Sequence, residues 1–215
     1  MTKSLQITEI YKSVQGESSY AGLPCTFIRL TGCPLRCKWC DTVYGFKGGK
    51  TYSFDALLEE VKNLKVNLVE LTGGEPLAQA QCYEFNDLLI ENGFKVLIET
   101  SGSEDISKLH KKTHVIMDIK CPDSGMMDKN LWENLEHLKR SDEVKFVIAS
   151  RKDFDWAIEC IKLNDLSNKV ELLMSVAFGL LKEETLVEWI LESELKIRLN
   201  LQQHKYIWNP RKKGV

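Results

Sequence analysis

The sequence predicts an α/β protein, an open, partial TIM-like (β/α)6 barrel with N- and C-terminal appendages. Two observations carry this. Short runs rich in Val, Ile and Leu alternate with longer segments of helical period from Cys25 onward, the pattern of repeated β-α units around a parallel sheet. Six such units amount to about three quarters of an eight-stranded barrel, and ligands of such folds gather at the carboxyl ends of the strands. The unusual residues of this chain stand just after strands, as that architecture requires.

The elements follow in order. The segment through Pro24 reads as an N-terminal appendage, and Thr26–Thr31 as the first strand, leading into CPLRCKWCDT. Ser53 is a plausible cap for a helix whose apolar stripe is Phe54, Leu57, Leu58, Val61 and Leu64. Asn67–Thr72 is the second strand, ending in TGGEP, and Lys95–Thr100 the third, ending in ETSG. His114–Ile119 ends in DIKCP; Glu143–Ile148 precedes a helix marked by Phe154, Ala157, Ile158 and Ile161. Val170–Val176, with Met174 and Ser175, is the sixth strand, and the tail after Asn200 is the second appendage. One domain over residues 1–215 is expected, with its barrel core at about 25–200. A flat doubly wound sheet is the alternative, and it also places ligands at strand ends.

Hydrophobic residues make up 43% of the 215, and the formal net charge is −2, so no global attraction to nucleic acid or to an anionic membrane is expected. The N-terminus lacks the apolar core of a signal peptide and no run approaches a membrane span, which predicts a cytoplasmic protein. Seven unevenly spaced cysteines fit a reducing compartment and a metal site better than a disulfide framework.

Cys33, Cys37 and Cys40 crowd into one loop. Structural zinc and electron-transfer clusters take four protein ligands, whereas three thiolates on a cubane leave one iron open. A zinc site completed by a distant Cys25, Cys121 or histidine, or three buried cysteines, is the alternative reading. Cys25, Cys82, Cys121 and Cys160 read as small apolar fillers, although Cys121 falls on the rim.

The C-x3-C-x2-C spacing, with Trp39 before the last cysteine, resembles the signature of the radical S-adenosylmethionine (SAM) superfamily. That resemblance implies a [4Fe–4S] cluster and SAM bound at its open iron. It also implies cofactor contacts from Trp39, Cys40 and Asp41 in the loop, Gly74 and Glu75 in the GGEP element, Thr100 and Ser101, the strand end Asp118, Ile119 and Lys120, and Ser175.

Ser13-Val14-Gln15-Gly16-Glu17, Cys40-Asp41-Thr42, Thr72-Gly73-Gly74-Glu75-Pro76 and Leu201-Gln202-Gln203-His204-Lys205 together resemble the 7-carboxy-7-deazaguanine synthase family over nearly the whole chain. The resemblance implies a lyase that converts 6-carboxy-5,6,7,8-tetrahydropterin to 7-carboxy-7-deazaguanine with loss of ammonia, on the route to queuosine. It assigns Val14, Gln15, Gly16, Glu17, Arg29, Thr72, His204 and Pro210 to the pterin, and Thr42 to Mg²⁺. An Arg fork suits the substrate carboxylate. His204 could instead be a packing residue, and the tail runs five residues past Pro210, where some family members end. Expected partners are the small pterin, a flavodoxin or ferredoxin as electron donor, and a second copy in a homodimer. A glycyl-radical-enzyme activase and a non-catalytic metal-binding module are the rival readings.

Overall fold

The computed structural model describes residues 3–215. Its strands are β1 (Ser4–Val14), β2 (Pro24–Leu30), β3 (Lys50–Ser53), β4 (Leu68–Gly73), β5 (Lys95–Thr100), β6 (His114–Ile119), β7 (Glu143–Ile148), β8 (Glu171–Val176) and β9 (Ile197–Leu199). They form one sheet in the order β3-β1-β2-β4-β5-β6-β7-β8-β9. From β2 to β9 all neighbours are parallel, while β1 is antiparallel to β2 and β3. The sheet stays open, the expected partial barrel, and the six anticipated strands fall within one or two residues of their expected bounds. The N-terminal appendage takes the form of strand β1, whose alternating Leu5 and Ile7 are buried against the core.

The helices are α1 (Phe54–Leu64), α2 (Gln81–Glu91), α3 (Arg151–Leu163), α4 (Leu166–Lys169), α5 (Glu183–Glu192) and α6 (His204–Ile207). Ser53 caps α1 by accepting from the Ala56 amide at 3.3 Å, and Ser150 caps α3 through the Asp153 amide at 3.3 Å. Phe54, Leu57 and Val61 of α1 and Phe154, Ala157 and Ile161 of α3 turn inward. Each fully buried Leu or Phe of this kind contributes about 1.5–3 kcal/mol. The β5–β6 and β6–β7 connections carry no α-helix; the first is a run of turns and the second has short 3₁₀ turns at Pro122–Ser124, Met127–Lys129 and Trp132–Glu136. The buried amide of Asn134 organises them, accepting from the Ile106 amide at 3.1 Å and donating to the carbonyls of Gly102 and Glu104.

Strand alternation divides the core. On the helix side, Val69 and Leu71 of β4 join a large cluster with Ile28, Ile98, Phe85 and Phe146. On the inner side, Cys25, Phe27, Leu68, Leu97 and Ile116 form a smaller apolar layer. Beyond it, toward the strand carboxyl ends, the inner face becomes polar: Arg29, Glu70, Thr72, Glu99, Asp118 and Lys145 line a cavity there.

Candidate active site

That cavity has a volume of about 780 Å³ and is lined by residues from Tyr11 to the tail. On one side stands the cysteine loop. Its carbonyl at Gly32 accepts from the Glu75 amide at 2.8 Å, the Gly32 amide reaches the Gly45 carbonyl at 2.8 Å, and the Lys38 amide the Ser124 carbonyl at 3.1 Å. Leu35 is buried beneath it, and the Arg36 guanidinium stacks 4.2 Å from the Phe46 ring centroid. Cys33, Cys37 and Cys40 are all half-buried and all line the cavity. Burial pushes the Cys33 and Cys37 thiols up, while Lys120 opposes the rise. Thiolates at these positions need a cationic partner, which iron supplies.

Gly74 allows this loop to lie against the end of β4. A Cβ there would stand 2.2 Å from the Gly32 carbonyl oxygen and 2.7 Å from Cys33 Cβ. Glu75 beside it is fully buried and does not line the cavity. Its carboxylate accepts from the Ser101 amide (2.7 Å) and Oγ (2.6 Å), Thr100 Oγ1 (2.9 Å) and the Leu77 amide (3.0 Å). Glu75 thus ties the end of β4 to the end of β5, and its side chain is consumed internally. Ile119 is likewise turned into the core, 2% exposed.

Asp118 and Lys120 form an ion pair at 2.8 Å. Asp118 Oδ1 is buried without a hydrogen-bond partner, an arrangement that a ligand hydroxyl or ammonium would complete. With Trp39, Asp41, Thr100, Ser101 and Ser175 on the same wall, the donor set suits a hydroxyl-rich zwitterion beside the three thiols. The residues present therefore fit a three-thiolate cluster with SAM. Thr42 lines the cavity with its Oγ1 3.6 Å from Cys40 Sγ.

A second part of the lining is built from the turn after β1. Val14, Gln15, Gly16 and Glu17 line the cavity together with Arg29, Thr72, His204 and, at the mouth, Pro210. Gly16 lies so near α6 that a Cβ would be 3.1 Å from His204 Nδ1, and its carbonyl accepts from the Gln203 amide at 2.9 Å. Burial holds the His204 imidazole below the ordinary histidine value. Arg29 donates to Glu9 at 2.7 Å and to the Tyr11 hydroxyl at 3.1 Å. Asp41 pairs with Lys205 of α6 at 2.7 Å; burial alone would raise its carboxyl, but Lys205 holds it below the usual carboxylate range.

Tyr11, Tyr44, Glu70 and Lys145 line the cavity with no motif to announce them, while Glu99 and Lys205 stand inside the ETSG and Leu201–Lys205 stretches without a role assigned from sequence. Lys145 bridges Glu17 (2.9 Å) and Glu99, and Glu17 also accepts from Asn200 (3.1 Å) and Gln202 (3.0 Å). The available signal was a charged residue at an inward position of an otherwise apolar strand. Cys25, Cys82, Cys121 and Cys160 are buried fillers as read, and Cys121 does not line the cavity.

A profile of the Radical SAM superfamily matches residues 27–188. The chain is 46% identical over 226 residues to the 7-carboxy-7-deazaguanine synthase of Koribacter versatilis (strain Ellin345), covering 98% of this chain and 100% of that protein. It is 39% identical over 214 residues to the protein of the same name from Chlorobaculum tepidum, covering 98% and 97%. The crystal structure of QueE from Escherichia coli shares the fold, with a TM-score of 0.77 at 24% identity over 94% of this chain and 95% of that one. Near full-length identity at this level accounts for a cavity that joins three loop thiols to a polar turn after β1: the chain belongs to the 7-carboxy-7-deazaguanine synthase family of radical SAM enzymes.

Proposed function

We propose that this enzyme converts 6-carboxy-5,6,7,8-tetrahydropterin to 7-carboxy-7-deazaguanine with loss of ammonia, a step of 7-deazapurine and queuosine biosynthesis. The observation that carries it is a single cavity lined both by the three-thiol loop and by Gln15, Glu17, Arg29 and His204. When bound, the cluster and SAM supply the radical that abstracts a substrate hydrogen. The remaining work falls to the chain. Cys33, Cys37 and Cys40 hold the cluster; Asp118, Lys120, Ser101 and Ser175 hold SAM; the 14–17 turn and Thr72 hold the ring. Arg29, anchored by Glu9, Tyr11 and the Gly73 carbonyl, keeps two guanidinium hydrogens for the substrate carboxylate.

Thr42 Oγ1, in the cavity lining, would hold a Mg²⁺ that could also take substrate oxygens and water, sparse protein ligation of a kind this ion accepts. The same reading includes a flavodoxin or ferredoxin as electron donor and a homodimer, which analytical ultracentrifugation tests. No helix among the described residues is long and apolar enough to cross a membrane.

The test of function is anaerobic turnover of iron-sulfide-reconstituted protein with SAM, dithionite, Mg²⁺ and the pterin, read by mass spectrometry. Both 5′-deoxyadenosine and 7-carboxy-7-deazaguanine are expected, and Cys37→Ala is expected to lose both. Deoxyadenosine without the deazapurine would discard this substrate while keeping the radical chemistry.

A further inference from the structure

Five carboxyl side chains line the cavity: Glu17, Asp41, Glu70, Glu99 and Asp118. Four of them touch a cation. Glu17 and Glu99 share Lys145, Asp41 has Lys205 and Asp118 has Lys120. Glu70 touches none among the described residues; its side-chain partner is the neutral amide of Gln15.

Glu70 is 2% exposed and sits on the inner face of β4, in register with Phe27 of β2 and Leu97 of β5. Its carboxyl therefore rises from the apolar layer of Cys25, Phe27, Leu68, Leu97 and Ile116 into the cavity. Burial, and then Glu99 and Glu17 nearby, hold that carboxyl well above the usual carboxylate range. An apolar side chain here would simply extend the layer, so the fold has no need of an acid at this position. A buried acceptor with only one neutral partner is unfavourable unless a ligand completes it.

We propose that Glu70 is a specificity-determining contact for the substrate, accepting a hydrogen bond from the exocyclic 2-amino group of its aminopyrimidinone ring. The inference rests on the pterin reading above. One carboxyl oxygen is held by Gln15, in the turn that lines the ring site, and the other remains for the ligand. Phe27 and Tyr11, stacked with centroids 5.1 Å apart, form a flat wall of the same cavity against which a planar heterocycle brings an in-plane amine to the floor. The 2-amino group is the donor that separates a pterin from a 2-oxo ring, so the contact selects by chemistry that shape cannot supply.

The experiment compares anaerobic equilibrium binding of 6-carboxy-5,6,7,8-tetrahydropterin and its 2-oxo counterpart, 6-carboxy-5,6,7,8-tetrahydrolumazine, to the reconstituted enzyme with SAM and Mg²⁺. The wild type is expected to prefer the pterin by about 10- to 100-fold, the scale of one buried hydrogen bond with its partner left unmatched. Glu70→Leu is expected to lose that preference through weaker pterin binding, with KM rising and kcat less affected. Glu70→Gln keeps an acceptor and is expected to retain the preference. Should the leucine variant misfold, Glu70→Met removes the acceptor with a more adaptable side chain.

Equal weakening of both rings in Glu70→Leu would make Glu70 a mere support for Gln15 and overturn the proposal. Unchanged pterin binding, or a wild type indifferent to the 2-amino group, would overturn it as well. A wild type that makes 5′-deoxyadenosine yet binds neither ring would overturn the substrate assignment itself, and the proposal with it.

Discussion

Lys145 shows how individual side chains hold this cavity together. Its side chain is 6% exposed and its ammonium lies between Glu17 and Glu99, one carried by the turn after β1 and the other by β5. Burial alone would lower its pKa, but the two carboxylates raise it well above the ordinary lysine value, so it stays charged. For Glu99, burial pushes the carboxyl up and Lys145 more than reverses this, leaving it below its ordinary value. A carboxylate held down in the folded state contributes stability that is present above the ordinary carboxylate range and lost as pH falls through it. Lys145→Met leaves two half-buried carboxylates without their shared cation and is expected to cost at most about 3–5 kcal/mol at pH 7. Urea unfolding should show the gap from wild type narrowing as the pH drops into the carboxylate range; a gap independent of pH would contradict the pairing.

At the scale of elements, the site depends on the close approach of the end of β4 to the cysteine loop. Gly74 makes that approach possible, because any Cβ there would meet the Gly32 carbonyl and Cys33. Gly74→Ala is therefore expected to shift the loop at a cost of about 1–3 kcal/mol. Its iron and sulfide content after reconstitution should fall well below wild type, while its far-ultraviolet circular dichroism stays that of the folded protein. Full cluster occupancy in this variant would show that the loop yields without effect on the thiols. The β5–β6 and β6–β7 connections make the same point: without helices, they rely on the Asn134 amide to satisfy backbone groups that a helix would otherwise pair.

Over the whole molecule, an open sheet leaves the cavity to be closed by the two ends of the described chain. Ser18 donates its amide to Asn200 Oδ1 at 2.7 Å, the Gln203 amide reaches the Gly16 carbonyl, and Lys205 reaches Asp41. The walls of the cavity thus come from the length of the sequence, and ligand binding should register as global stability. SAM at about 100 times its dissociation constant stabilises by roughly 2.7 kcal/mol. For a chain of this size that amounts to a rise in Tm of about 5–10 °C in the reconstituted enzyme. The shift should shrink in Cys37→Ala, measured by anaerobic differential scanning fluorimetry; an equal shift there would place SAM away from the cluster loop.

What the sequence determined by itself was local. β5, β6 and β7 begin and end where the apolar runs Lys95–Thr100, His114–Ile119 and Glu143–Ile148 do, because strand alternation and its bounding residues lie within a few positions of one another. The cysteine loop was legible for the same reason, three thiols within one short stretch that all come to line the cavity. Tertiary structure decided the rest. Parallel register carries Asp118 opposite Lys145 and sets Glu70 on an apolar floor, and folding brings Lys145 to Glu17, 128 residues away in the chain. It also turned Glu75 and Ile119 inward, away from the cavity that their neighbours line. Charge pairing and side-chain direction at a strand end depend on which distant strand lies alongside. Only the packed sheet contains that information.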